Sequence, residues 1–96
     1  MRTMDRDALL DLLRKNHTFP GPYELRAVVR PDSAPLVVSA VAAALGEGER
    51  VVRVDERRSR NGNYVALHVQ MLVLEPERIL DAYEVLKGID GVMATL

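Results

Sequence analysis

An α+β fold with a single antiparallel sheet follows from three features of this sequence. Two stretches that alternate apolar and polar residues flank Asn61-Gly62-Asn63, the strongest short-range hairpin signal. A third alternating stretch follows the turn residues Pro20-Gly21-Pro22. Two amphipathic helical segments separate the strands in the order β-α-β-β-α-β, the ferredoxin-like split βαβ arrangement with two helices on one sheet face. The expected strand order is 4-1-3-2. An extra helix precedes this unit, so residues 1–18 read as an N-terminal helix and linker and 19–96 as the ferredoxin-like domain.

Each element has its own warrant. Over residues 5–15, Leu9, Leu10, Leu12 and Leu13 form one stripe, with Asp5 as the N-cap. A helix this short is marginal alone, so its leucines must dock on something. Asn16 to Pro22 is punctuation. Residues 23–30 place Tyr23, Leu25, Ala27 and Val29 on one face and Glu24, Arg26, Val28 and Arg30 on the other. Asp32 is placed to cap the next helix, 34–45, which Gly46 and Gly48 terminate.

Strands at 49–60 and 64–74 follow, both residues of the Asn-Gly pair tolerating positive φ. In the latter, Val65, Leu67, Val69, Met71 and Val73 form the core set, and Tyr64, Ala66, His68, Gln70 and Leu72 the opposite face. Pro76 opens a last helix over 76–88 with Ile79, Ala82, Tyr83 and Leu86 in one stripe, and 92–96 is a short final strand. The helices cover one sheet face. The other carries Val28, Tyr64, Leu72 and Met93, so the N-terminal helix or a second subunit is expected to cover it.

Composition narrows the function classes. The chain of 96 residues has room for one core and little for a deep cleft, and its hydrophobic fraction of 48% excludes a disordered chain. With no cysteine, thiol catalysis and Cys-ligated metal centres are excluded. Nothing reads as a signal peptide or a membrane span, and a cytoplasmic location is expected. Net charge is −1, so no global basic field favours nucleic acid or anionic lipid. Residues 50–60 are the exception, with five arginines against Asp55 and Glu56.

The candidate chemistry is sparse. His17 and His68 have no metal-ligand spacing around them, and Ser33, Ser39 and Ser59 lie in no nucleophile elbow. No catalytic residue, cofactor or metal is expected. RNA-recognition modules share the β-α-β-β-α-β order, and Arg26, Arg53 and Arg57 beside Tyr64 make RNA binding the alternative. The strand YVALHVQM lacks the paired aromatics such modules stack on bases, and a charge-protected edge strand accounts for the arginines.

Phe19-Pro20-Gly21-Pro22-Tyr23 followed by Arg26, then Gly62-Asn63-Tyr64 after a Ser59-containing basic stretch, Tyr83, and Val92 with Leu96, resemble the YbeD-like family of small uncharacterised bacterial proteins. The resemblance runs from about residue 17 to residue 96. It implies the ferredoxin-like fold, a likeness to ACT-type regulatory domains and no catalytic activity. Ala66 and His68 stand where the resemblance would place small hydroxylated residues, and the loop Pro31-Asp32-Ser33-Ala34 lacks the glycine that ACT domains often carry. The expectation is a non-catalytic regulatory module that senses a small metabolite or binds a protein, self-associating through the open sheet face. Pro31, Asp32, Ser33, Tyr64 and His68 are its candidate ligand or interface residues.

Overall fold

The computed structural model describes residues 5–95. In chain order the elements are α1 (Arg6–Asn16), β1 (Gly21–Val29), a 3-10 turn (Pro31–Ser33), α2 (Ala34–Ala44), β2 (Arg50–Arg58), β3 (Val65–Val73), α3 (Pro76–Lys87) and β4 (Val92–Thr95). The sheet order is β2-β3-β1-β4 with every pairing antiparallel, the order expected from the sequence. The fold is the ferredoxin-like α+β arrangement, preceded by α1.

Alternation decides the core. Leu25, Ala27 and Val29 of β1 pair in register with Val69, Leu67 and Val65 of β3, and all six are buried. Val37 and Val41 of α2 and Ile79, Ala82 and Leu86 of α3 close over them. The core is almost wholly aliphatic.

The first helix is capped as expected, the Asp5 carboxylate accepting from the Ala8 N–H at 2.8 Å. Its docking site is α3 and not the open sheet face. Arg6 pairs with Asp81 at 3.4 Å and Arg14 with Glu77 at 3.5 Å, so the two helices run antiparallel. Leu10 is buried there, while Leu9 and Leu12 stay 37% and 43% exposed.

Two local expectations need correction. No side-chain hydrogen bond caps α2, and Asp32 is exposed. A 3-10 turn precedes the helix, and the Ser33 N–H bonds the Arg30 carbonyl at 2.9 Å. That turn satisfies a first-turn donor through backbone, as 3-10 ends do. The β2–β3 turn is also not a two-residue Asn-Gly turn, because only Gly62 has positive φ, +77°. The Gly62 N–H bonds the Ser59 carbonyl at 3.0 Å, and Ser59 N–H bonds the Tyr64 carbonyl at 2.8 Å, closing a four-residue loop. Ser59 Oγ accepts from the Tyr64 N–H at 3.0 Å and stabilises this longer loop locally.

Candidate functional site: the open sheet face and a groove on the helix side

Strand register assembles the open face. In one row, Arg57 of β2 faces Ala66 of β3, which faces Val28 of β1, which faces Ala94 of β4. A bulge between Val28 and Val29 sets Met93 out of the ladder, where it is 55% exposed. Tyr64, 42% exposed, stands one residue before Val65, the partner of Val29, and so lies across from Arg30. This end of the face is therefore an apolar band, Ala66–Val28–Ala94, flanked by Tyr64 and Met93.

The next rows are charged. Asp55, His68 and Arg26 align, then Arg53, Gln70 and Glu24. Arg26 holds Glu24 at 2.9 Å, His68 Nδ1 lies 3.3 Å from the same carboxylate, and Arg53 holds Asp55 at 3.1 Å. The hydrogen bond from Arg26 keeps the Glu24 carboxyl below the usual carboxylate range; partial desolvation works against it, and the His68 hydrogen bond adds to it.

The sequence-predicted residues thus divide. Pro31, Asp32 and Ser33 follow the end of β1, and Tyr64 stands just before β3 at the same end of the β1–β3 ladder. His68 sits in the charged half. Ser33 is buried and donates to the Asp90 carbonyl at 3.2 Å, while Arg30 holds the Asp90 carboxylate at 2.9 Å and its N–H bonds the Gly91 carbonyl at 2.8 Å. Ser33 is therefore a structural clamp between the 3-10 turn and the α3–β4 connection. Of the three arginines proposed for RNA, Arg26 and Arg53 each hold a neighbouring carboxylate on their own strand; Arg57 forms no ion pair among the described residues.

Sequence reasoning missed a second feature. A groove of about 630 Å³ lies on the helix side, between α1 and α3. Leu9, Leu13 and Leu80 wall it, and Tyr23 and Tyr83 reach it from β1 and α3. The two phenol oxygens are 3.1 Å apart, and the His17 ring stands edge-on to Tyr23 at 5.0 Å between centroids. Burial, then the hydrogen bond with Tyr23, pushes the Tyr83 phenol far above its ordinary value. The signal was present as Tyr23 and Tyr83 in the family resemblance, but pairing positions 60 residues apart needs the fold. Among the described residues, no cluster of three or more His, Cys, Asp or Glu is arranged to hold a metal, and no helix is long and apolar enough to cross a membrane.

A family model described as "Protein of unknown function (DUF493)" matches residues 14–96. The chain belongs to this family. The match is the YbeD-like resemblance under its other name, and it spans the whole α+β unit. No curated protein matches the chain. Among solved structures, the chain is similar to the solution structure of the C-terminal domain of the MgtC protein from Mycobacterium tuberculosis, at a TM-score of 0.66 and 17% identity over 78% of this chain and 82% of that one. At that identity the likeness is one of fold alone.

Proposed function

We propose that this DUF493 member is a non-catalytic regulatory or protein-interaction module, ACT-like in plan, that self-associates through its open sheet face. The observation that carries the reading is the apolar band Ala66–Val28–Ala94 with Tyr64 and Met93 beside it, on the face that α1 leaves uncovered. A solvated sheet face has no need of such a band, whereas an interface does. The alternating charges beside it suit a second copy turned by half a rotation, arginine against carboxylate. A small metabolite would enter at the same end, against Pro31, Asp32 and Tyr64. The carboxylates beside Arg26 and Arg53 weaken the face's attraction for phosphate and rank RNA below a protein partner.

Sedimentation velocity at high micromolar concentration tests the reading. The wild-type chain is expected to sediment as a dimer or larger. Val28→Glu, at a half-buried surface position, is expected to sediment as a monomer with an unchanged circular dichroism spectrum. A monomeric wild type would overturn self-association.

A further inference from the structure

Strand β2 is an outer strand of the sheet, with β3 on one side and no strand on the other among the described residues. Its pairing fixes which backbone groups are spare. The Ser59 N–H bonds the Tyr64 carbonyl at 2.8 Å, so these two form a hydrogen-bonded pair at the turn. Such pairs recur at every second residue, so Arg57, Asp55 and Arg53 turn their N–H and carbonyl groups toward β3. Those of Val54, Glu56 and Arg58 point outward. From Arg53 to Arg58 the register is unbroken and every residue is exposed. A regular edge of this kind is a template for another strand.

Unmatched charge gathers on the same edge. Outside β2 and its turn, every arginine among the described residues meets a carboxylate: Arg6, Arg14, Arg26, Arg30 and Arg78. On β2, Arg53 meets Asp55, whereas Arg50, Arg57, Arg58 and Arg60 form no ion pair among the described residues. The stretch 50–60 sets one further carboxylate, Glu56, against these four cations. Like charges on facing strands destabilise a pair, so this edge disfavours a second copy of itself and favours an acidic strand. Nucleic acid suits it less. Phosphates would meet Asp55 and Glu56 in mid-strand, and they lack the alternating donors and acceptors that Val54, Glu56 and Arg58 call for.

We propose that the β2 edge receives an acidic, extended segment of another protein as a fifth strand. The segment carries two carboxylates in succession, one across from Arg57 on the open side of the sheet and one across from Arg58 on the helix side. Its backbone bonds the outward groups of Val54, Glu56 and Arg58. Backbone pairing supplies the attachment and the arginines supply the choice, as in other strand-addition sites. The added strand lies in the plane of the sheet, so this inference does not rest on self-association through the open face.

The probe is an acetylated, amidated peptide with the sequence Glu-Glu-Thr-Thr-Val-Thr-Val, titrated into the ¹⁵N-labelled full chain. The expected result is a saturable change in the amide resonances of Arg53 to Arg58, with slowed hydrogen exchange at Val54, Glu56 and Arg58. The same peptide with glutamine in place of each glutamate is expected to bind at least tenfold more weakly, and Arg57→Gln combined with Arg58→Gln to weaken the acidic peptide by a similar factor. Glu56→Pro separates strand addition from charge attraction alone. It removes an outward N–H that bonds nothing within the chain, so the circular dichroism spectrum is expected to stay unchanged. It also makes the edge more positive, yet it is expected to abolish binding. Any of four results would overturn the proposal: no change at millimolar peptide, wild-type binding by a folded Glu56→Pro chain, tighter binding of a single-stranded RNA heptamer at the same residues, or β2 changes that follow protein concentration alone and so place a second copy there.

Discussion

Two glycines separate strain from crowding. Gly91 has φ of +101°, and a side-chain carbon there would collide with Ser33 Oγ, the atom that holds the Asp90 carbonyl. Gly62 has φ of +77° with nothing within 4 Å of the same position. Gly62→Ala is expected to cost about 1 kcal/mol, the penalty of the left-handed backbone alone. Gly91→Ala adds loss of the clamp and is expected to cost about 3 kcal/mol. Urea denaturation of both variants measures the difference, and equal costs would mean the clamp contributes nothing. Tyr83 gives a pH prediction. Its folded-state midpoint lies above the unfolded one, so the folded chain holds the phenolic proton more tightly. That contribution is complete below the unfolded tyrosine value of about 10 and declines as pH rises from there through the folded midpoint. Alkaline titration at 295 nm should show Tyr83 ionising last of the three tyrosines, together with loss of the fold. Tyr23→Phe should move that ionisation to lower pH.

The joints between elements show what a linear reading catches and what it misses. Alternation in β1 and β3 was legible because a half-buried strand imposes a period of two, and each face fell where the pattern put it. Asp5 was legible because an N-cap acts within three residues. Asp32 and the Asn61-Gly62 turn were misread where local chemistry offered two solutions and backbone hydrogen bonds to Arg30 and Ser59 selected the other. The Tyr23–Tyr83 pair and the groove depend on where α1 docks, and no periodicity encodes that. Glu49 is the joint least visible from sequence. Its side chain is 2% exposed, accepts from the N–H groups of Gly46 at 2.7 Å and Leu74 at 2.8 Å, and meets Arg78 at 3.2 Å. One carboxylate thus ties the α2–β2 loop to the β3–α3 connection. Glu49→Ala leaves both donors unsatisfied and is expected to cost about 2–3 kcal/mol, to be read from thermal melts. A loss under 1 kcal/mol would mean that water replaces the carboxylate.

At the scale of the whole molecule, the slab is 21 Å thick, about the depth of one helix layer on one sheet. The exposed sheet side is therefore inherent to the architecture and not a matter of one missing side chain. The charges beside its apolar band are expected to make the proposed self-association sensitive to acid. Arg26 holds the Glu24 carboxyl below the usual range, so Glu24 stays ionised until pH falls under ordinary glutamate values. Its folded-state midpoint is depressed, so its contribution is present above the unfolded midpoint and lost as pH falls through the folded one. Below that point Arg26 keeps its charge without a counter-charge, and two apposed copies of the face are expected to repel. Sedimentation across pH 7 to about 3.5, with circular dichroism to confirm the fold, should show dissociation before unfolding. Arg26→Ala should raise the midpoint.

Strand β2 reaches beyond the helix layer. Val54 points to the core side and is still 36% exposed, and nearly every residue from Val52 to Arg58 is open to solvent. Its main attachment is the ladder to β3, interrupted by a bulge between Val51 and Arg53, with Val51 also packed against the core. Amide protons on β2 should therefore exchange by local opening, at rates well above those of β1 and β3, which exchange only when the core opens. The most basic strand of the chain is thus expected to peel from β3 and rejoin without opening the core.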